Sequence, residues 1–550
     1  MTHQSLFFHN RFGSLLTVSL SLTLLSTHVF ATPTDTDKAI QSALAGLNSV
    51  ELAKKGLVSN PEAPIPPQCY TRTEGQFNPC YTCHQTYKDY SRDIRSNFMR
   101  DGGLQGLYEF SDIGTTNHWQ NLFKDRRQAI AAISDEAILS YINSDNYSAI
   151  VNRKKSYDYK QWAPDLKDYQ LGAQAFDAQG HAKDGSHWVA FNYKPLPSTF
   201  WPTNGSTDDV LLRLAKPFRE NAQGHYQRDI YQANLALLEM NILGLKHIST
   251  PTIDETVVGH DLNNDQKLSA VDRITQQTHY VGAASHTKVV NQLYPQGTEF
   301  MHSVRYLGID EQGHTVIPPR MKELRYMKKI SFKSTAEVSS RYLNENLDKV
   351  EELLPKATRA GTALDKGFGW VLSAYIEDMQ GKLRPQTYEE TFFCTGCHSA
   401  IGSTIDHTFA FARKLPGAKG WGYIDLKKLY DAPNRGEQQG EYVSYLERVG
   451  GGSEFRNNEE MQQRWFTKQG RLDKEKASRA SLFELITPSK QRALTLNKAY
   501  KVIVDEQSFH HGRDATVTAP KNVYQHIDNH TQPLEEKYQI QGWDIRPDWR

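Results

Sequence analysis

Hydrophobic and polar positions along this chain fall mainly into helical periods. Between His225 and Lys246 the apolar residues Ile230, Leu237, Leu238 and Ile242 keep a helical period and predict an amphipathic helix. A second stripe, Val338, Tyr342, Leu347, Val350 and Leu354, follows Ser334 and Glu337, whose spacing is that of a capping box, and ends before Pro355. Such a stripe reads as core packing before it reads as cofactor contact. Residues 32–60 read as a helical lead-in to the proline-rich stretch Pro61 to Pro67. Pro416-Gly417 and Gly420-Trp421-Gly422 predict an irregular loop, and Gly450-Gly451-Gly452 a break before a more basic helical section. Strand signals are short and scattered, and no internal repeat is evident. The pattern predicts a mainly α fold with long irregular connections.

Two short motifs add chemistry to that outline. Cys80-Tyr81-Thr82-Cys83-His84 and Cys394-Thr395-Gly396-Cys397-His398 both read Cys-x-x-Cys-His, in a chain with only 5 cysteines. In an exported protein this spacing implies covalent attachment of haem c. Cys80 and Cys83, or Cys394 and Cys397, would form thioethers to the two vinyl groups of one haem. His84 or His398 would then reach the iron as proximal ligand. A thioredoxin-like pair would need a βαβ pattern, which surrounds neither motif. A zinc site is the other reading, but a histidine directly after the second cysteine joins a tetrahedral site with both thiols only with difficulty. The fold expected is therefore one of cytochrome c-like haem-binding segments embedded in a larger helical body. Its divisions are a signal peptide (1–31), a first haem segment (32–115), a central mainly helical region (116–380), a second haem segment (381–450) and a C-terminal helical region (451–550).

The N-terminus fits export. Arg11 precedes an apolar stretch from Phe12 to Leu25, and Val29-Phe30-Ala31 is a small-residue cleavage site. No cysteine stands at that site, so a lipid anchor is not expected, and no later run is long and apolar enough to span a bilayer. Periplasmic or secreted location in a bacterium follows. Lysine plus arginine number 64 against 63 acidic residues, and loss of the leader removes only Arg11 among them. That balance argues against nucleic acid and anionic membrane as partners and leaves redox proteins, donors or acceptors of electrons. The chain is several times longer than two haems need, so the remainder forms a pocket, a docking surface or scaffold.

Three further features carry candidate chemistry. Asp261 to Asp272 follows a calcium-loop pattern, with Asp261, Asn263, Asp265 and Asp272 as side-chain ligands and Lys267 offering its carbonyl. It departs from the pattern at Gln266, where glycine is usual, and at Asp272, where glutamate is usual; the competing reading is a solvated Asx-rich turn. Glu299 to Tyr306 places Met301 beside His302, with Arg305 one turn on if the segment is helical. His302 could be a distal ligand to haem iron, or His302 with Arg305 could hold and polarise a peroxide. Met99, His118, His407 and the pair His510-His511 are weaker distal candidates. Cys69 is the odd thiol: buried and inert, bridging to another molecule, or a thiolate near the first haem.

The two motifs with an export signal resemble dihaem c-type cytochromes. Asn78-Pro79-Cys80-Tyr81, Phe200-Trp201-Pro202-Thr203-Asn204-Gly205-Ser206 and Phe411-Ala412-Arg413-Lys414 resemble phrases of a large family of exported bacterial haem proteins. The dihaem cytochrome c peroxidase and MauG superfamily is a more distant likeness, departing in motif spacing and in the residues after the second motif. The resemblance implies electron transfer through two covalent haems. Its alternative is a peroxidase or oxidase with one open haem iron acting on peroxide, oxygen or a small substrate.

Overall fold

The computed structural model describes residues 58–73, 76–85, 101–151, 162–198, 201–350, 357–398, 401–450 and 458–549. The expected signal peptide, the lead-in before Val58, and Met99 lie outside these residues.

Strands form at Val189–Ala190 (β1), Thr207–Arg213 (β2), His247–Asp254 (β3), Ala270–Thr275 (β4), Glu299–Arg305 (β5) and Gly308–Ile309 (β6). They continue with Thr315–Val316 (β7), Met321–Lys329 (β8), Thr358–Ala360 (β9), Ala363–Asp365 (β10), Trp370–Glu377 (β11) and Leu383–Pro385 (β12). Eight of them build one sheet in the order β1-β2-β5-β8-β11-β10-β9, with β12 also pairing β11. Every pairing in it is antiparallel. β3 with β4 and β6 with β7 form separate two-stranded ribbons.

This sheet corrects the mainly α expectation: the fold is mixed α/β with a large antiparallel sheet. The helical periods themselves lie where the pattern put them. Arg228–Leu243 is a helix with a buried face that includes Ile230, Leu237, Leu238 and Ile242. Thr335–Val350 is another, entered through the Ser334 and Glu337 pair, in which the Ser334 backbone N–H donates to Glu337 Oε2 at 2.8 Å. Val338 and Tyr342 pack on Phe368, whereas Leu347 is exposed.

The sheet escaped notice because both its faces are buried and both carry charge. On one face of β5 stand Phe300, His302 and Val304, and on the other Met301, Ser303 and Arg305, the two-residue alternation of any strand. Met301, Leu211, Leu324 and Tyr375 pack into a core on the second face. Within the sheet Glu323, Arg325 and Lys329 are compensated by partners: Glu323 Oε2 lies 3.0 Å from Arg325 Nε and 2.8 Å from Arg513 Nη1, and Lys329 pairs with Asp406. Charged residues at buried strand positions erase the alternation that announces a strand. The first face, with Phe300, His302 and Val304, borders a cavity.

Candidate functional site

Each Cys-x-x-Cys-His motif is a single helical turn. Pro79–Thr82 is a short 3₁₀ segment whose start is capped by Asn78, Oδ1 accepting from the Cys80 N–H at 2.7 Å. The His84 N–H closes the turn on the Cys80 carbonyl at 2.7 Å, which gathers both thiols and the imidazole. Tyr388–Phe392 enters the second motif through a capping box between Thr387 and Glu390, and Cys394–Cys397 forms the next turn. Gly396 has no room for a side chain, since a Cβ there would lie 1.9 Å from the carbonyl oxygen of Pro64.

The motifs stand more than three hundred positions apart in sequence and side by side in space. The Ser403 N–H donates to the Cys83 carbonyl at 3.2 Å, and the Gly402 N–H to Asp101 Oδ2 at 3.3 Å. Asp101 also accepts from the Gln85 N–H at 2.8 Å and holds His84 Nδ1 at 3.0 Å. His398 Nδ1 donates to the His407 carbonyl at 2.7 Å. With Nδ1 engaged, each imidazole leaves Nε2 as the nitrogen that could take a metal, the arrangement that orients metal-bound histidines.

All four motif cysteines, both motif histidines and Cys69 border one open-mouthed cavity of about 270 Å³. Burial pushes the Cys80 thiol up to about 12 and the Cys397 thiol up to about 11, and raises Cys83 and Cys394 as well. Such thiols stay protonated at neutral pH in the metal-free chain. Burial lowers His398 to about 4 despite its bond to the His407 carbonyl, with Arg325 and Lys366 adding to the fall. It is therefore a neutral imidazole, the form that binds iron.

The sheet supplies the opposite wall. His302 faces this cavity from β5, its proton affinity pushed well down by burial, then by Arg325 and His398. Arg305 does not accompany it. In a strand rather than a helix the two residues point to opposite faces, and Arg305 lies under the sheet. There it donates to the carbonyls of Tyr169 at 2.7 Å and Gln170 at 3.1 Å and pairs with Asp209 at 3.5 Å. The arginine that does share the wall is Arg325, directly across from His302 in the β5–β8 register. Only the strand pairing could have revealed it. Burial opposes ionisation of Glu323 beside it, but Arg325 and Arg513 outweigh that and hold its pKa down at about 2.

The remaining candidates lie elsewhere. His407 packs its ring on Phe368 and acts toward His398 through its carbonyl. His118 bonds the Ile113 carbonyl at 3.2 Å, and the rings of His510 and His511 lie 4.0 Å apart between centroids, tilted by 50°. In the segment with the calcium-loop pattern the polar side chains bond the local backbone. Asp261 spends its oxygens on the N–H groups of Asp265 and Gln266, at 3.2 and 2.7 Å, and Asp265 accepts from the Lys267 N–H at 2.9 Å. Asn263 Oδ1 likewise accepts from the Asp265 N–H at 2.9 Å, and Asp272 is exposed on β4. The segment is an Asx-rich turn. Among the described residues no group of three or more His, Cys, Asp or Glu side chains is placed to hold a metal ion.

Fold and site together define an α/β protein built on an antiparallel sheet that walls a cysteine-lined cavity. Residues 52–483 match a lipoprotein family, and the chain belongs to it. A protein of Aquifex aeolicus (strain VF5) named as an uncharacterized lipoprotein is 31% identical over 516 residues, 83% of this chain and 86% of that protein. No solved structure matches the chain. Membership overturns the resemblance to the dihaem c-type cytochrome family and to the cytochrome c peroxidase and MauG superfamily, as does a fold centred on a sheet. Among the described residues no helix is long and apolar enough to cross a membrane.

Proposed function

We propose that this protein carries two haems c, covalently held in one cavity, and passes electrons through them between exported donor and acceptor proteins. One observation carries the reading: two attachment motifs from distant parts of the sequence border the same cavity. Cys80 and Cys83 would hold the first haem with His84 as axial ligand, and Cys394 and Cys397 the second with His398. The reading rests on the motifs and the cavity, not on family membership. Haem iron takes most of its ligands from the porphyrin, so it needs one histidine from the protein rather than a cluster. The haems supply reversible one-electron chemistry. The chain's part is to orient the two imidazoles through Asp101 and the His407 carbonyl, to exclude water, and to set the charge around the cavity.

The periplasm is the compartment we assign.

A second reading, a peroxidase- or oxidase-type enzyme with one open iron, is favoured by the His302 and Arg325 pair. A neutral imidazole can take and return a proton, and a permanent guanidinium can steady a negative oxygen beside it.

The test is intact-mass measurement on protein made in a host that attaches c-type haem. Two added haems are expected, with one lost in Cys80→Ser and the other in Cys394→Ser; an unmodified polypeptide mass would overturn the proposal. Electron paramagnetic resonance of the same material separates the two readings, since closed irons are low-spin throughout and an open iron is high-spin.

A further inference from the structure

Many of the buried carboxylates among the described residues have cationic partners. Glu239 pairs with Lys414 at 2.8 Å, Glu377 with Arg320 at 2.6 Å, Glu441 with Lys194 at 2.9 Å and Asp209 with Arg305 at 3.5 Å. Asp208 differs. It is 8% exposed, stands on β2 and borders the cavity, yet among the described residues no lysine or arginine forms an ion pair with it. Its partner is a neutral phenol, Tyr193 Oη, donating at 2.5 Å. Pairing of β2 with β5 and β5 with β8 sets Asp208 on the same wall as His302 and Arg325.

We propose that Asp208 is a redox-linked protonation site: when an electron enters the cavity, its carboxylate takes up one proton from solvent, and it releases that proton when the electron leaves. The inference rests on the haem reading above. The balance is one electron, delivered by an external one-electron donor protein and reducing one ferric iron to ferrous, against one proton bound by one carboxylate. The driving force is electrostatic. An added negative charge in a low-dielectric cavity raises the cost of a second one on its wall.

The groups facing Asp208 set where this happens. Burial pushes its pKa up to about 7; the Tyr193 hydrogen bond pulls it down, Asp209 on its own strand pushes it up, and Arg325 from β8 pulls it down. Arg325 is shared with Glu323, which limits its hold. Tyr442, from the helix Glu441–Arg448, and Tyr423, beyond Asp209, also feel Asp208 and stay neutral. Asp208 therefore changes protonation in the range where an exported protein works.

Spectroelectrochemical titration of the haem-loaded protein between pH 5.5 and 8.5 tests this. A midpoint potential that falls with pH is expected, by at most about 59 mV for each tenfold drop in proton concentration when one proton accompanies one electron. Asp208→Asn should flatten the slope. Tyr193→Phe removes the bond that favours the carboxylate and should move the sloping region to higher pH, which keeps the test alive if Asp208→Asn fails to fold. Two attached haems with a flat wild-type potential would overturn the inference and spare the haem reading, as would an unchanged slope in Asp208→Asn. Absence of haem would overturn both.

Discussion

Asp101 does for the first motif what the His407 carbonyl does for the second: it fixes an imidazole by its Nδ1 and frees the other nitrogen. Asp101 does more, because it also ties the first motif to Gly402 beyond the second. At this scale function and stability are carried by different residues that the sequence places three apart. His302 faces the cavity and Arg305 the core, so their loss should read out differently. Arg305→Ala removes one partner of a buried pair together with several hydrogen bonds and should cost roughly 3–5 kcal/mol, measured by denaturant unfolding. His302→Ala should leave stability within about 2 kcal/mol and change the spin state or spectrum of one haem. Equal effects on both readouts would contradict the assignment of faces. The motif residues were legible because Cys-x-x-Cys-His is read by spacing alone. Arg325 was not, because its neighbourhood with His302 exists only through the register of two strands.

At the scale of elements, helices could be read from the sequence and strands could not. A helix such as Arg228–Leu243 declares itself by periodic apolar residues. β5 and β8 instead carry histidine, glutamate and arginine toward an interior cavity, and those charges are compensated by residues as distant as Arg513. In the loop with the calcium pattern the local geometry turns the carboxylates of Asp261 and Asp265 onto the loop's own backbone. The second motif offers a sharp test of packing between elements. Gly396→Ala would push a Cβ into the Pro64 carbonyl, a contact with backbone that no rotamer relieves. A loss of about 1–3 kcal/mol, the usual range for overpacking, is expected in thermal or denaturant unfolding. A neutral substitution would mean that the Pro64 segment does not pack on this turn.

For the whole molecule, the cavity gathers its walls from nearly the full length of the described chain. Pro66 and Cys69 come from its beginning, the sheet from its middle, and Tyr500 and Arg513 from near its end. One consequence concerns the thiols. Held protonated, with Cys394 buried and Cys80, Cys83 and Cys397 half-buried, the motif cysteines of the haem-free fold should react with an alkylating reagent at neutral pH more slowly than in the urea-unfolded chain, Cys394 by about tenfold. Quantitative mass spectrometry of labelled peptides measures this, and equal rates would mean that the cavity is open to solvent. Composition and charge gave no hint of such an enclosure.

That enclosure also dictates a chronology. Arg513 and its neighbours come late in the chain and line the space in which the thiols lie. On the haem reading, machinery that joins a bulky ring to Cys80, Cys83, Cys394 and Cys397 would do so most easily while the polypeptide is still slack, before its tail packs against the cavity. Maturation would then be a race between ligation and folding, and a chain that folds first would narrow the way in.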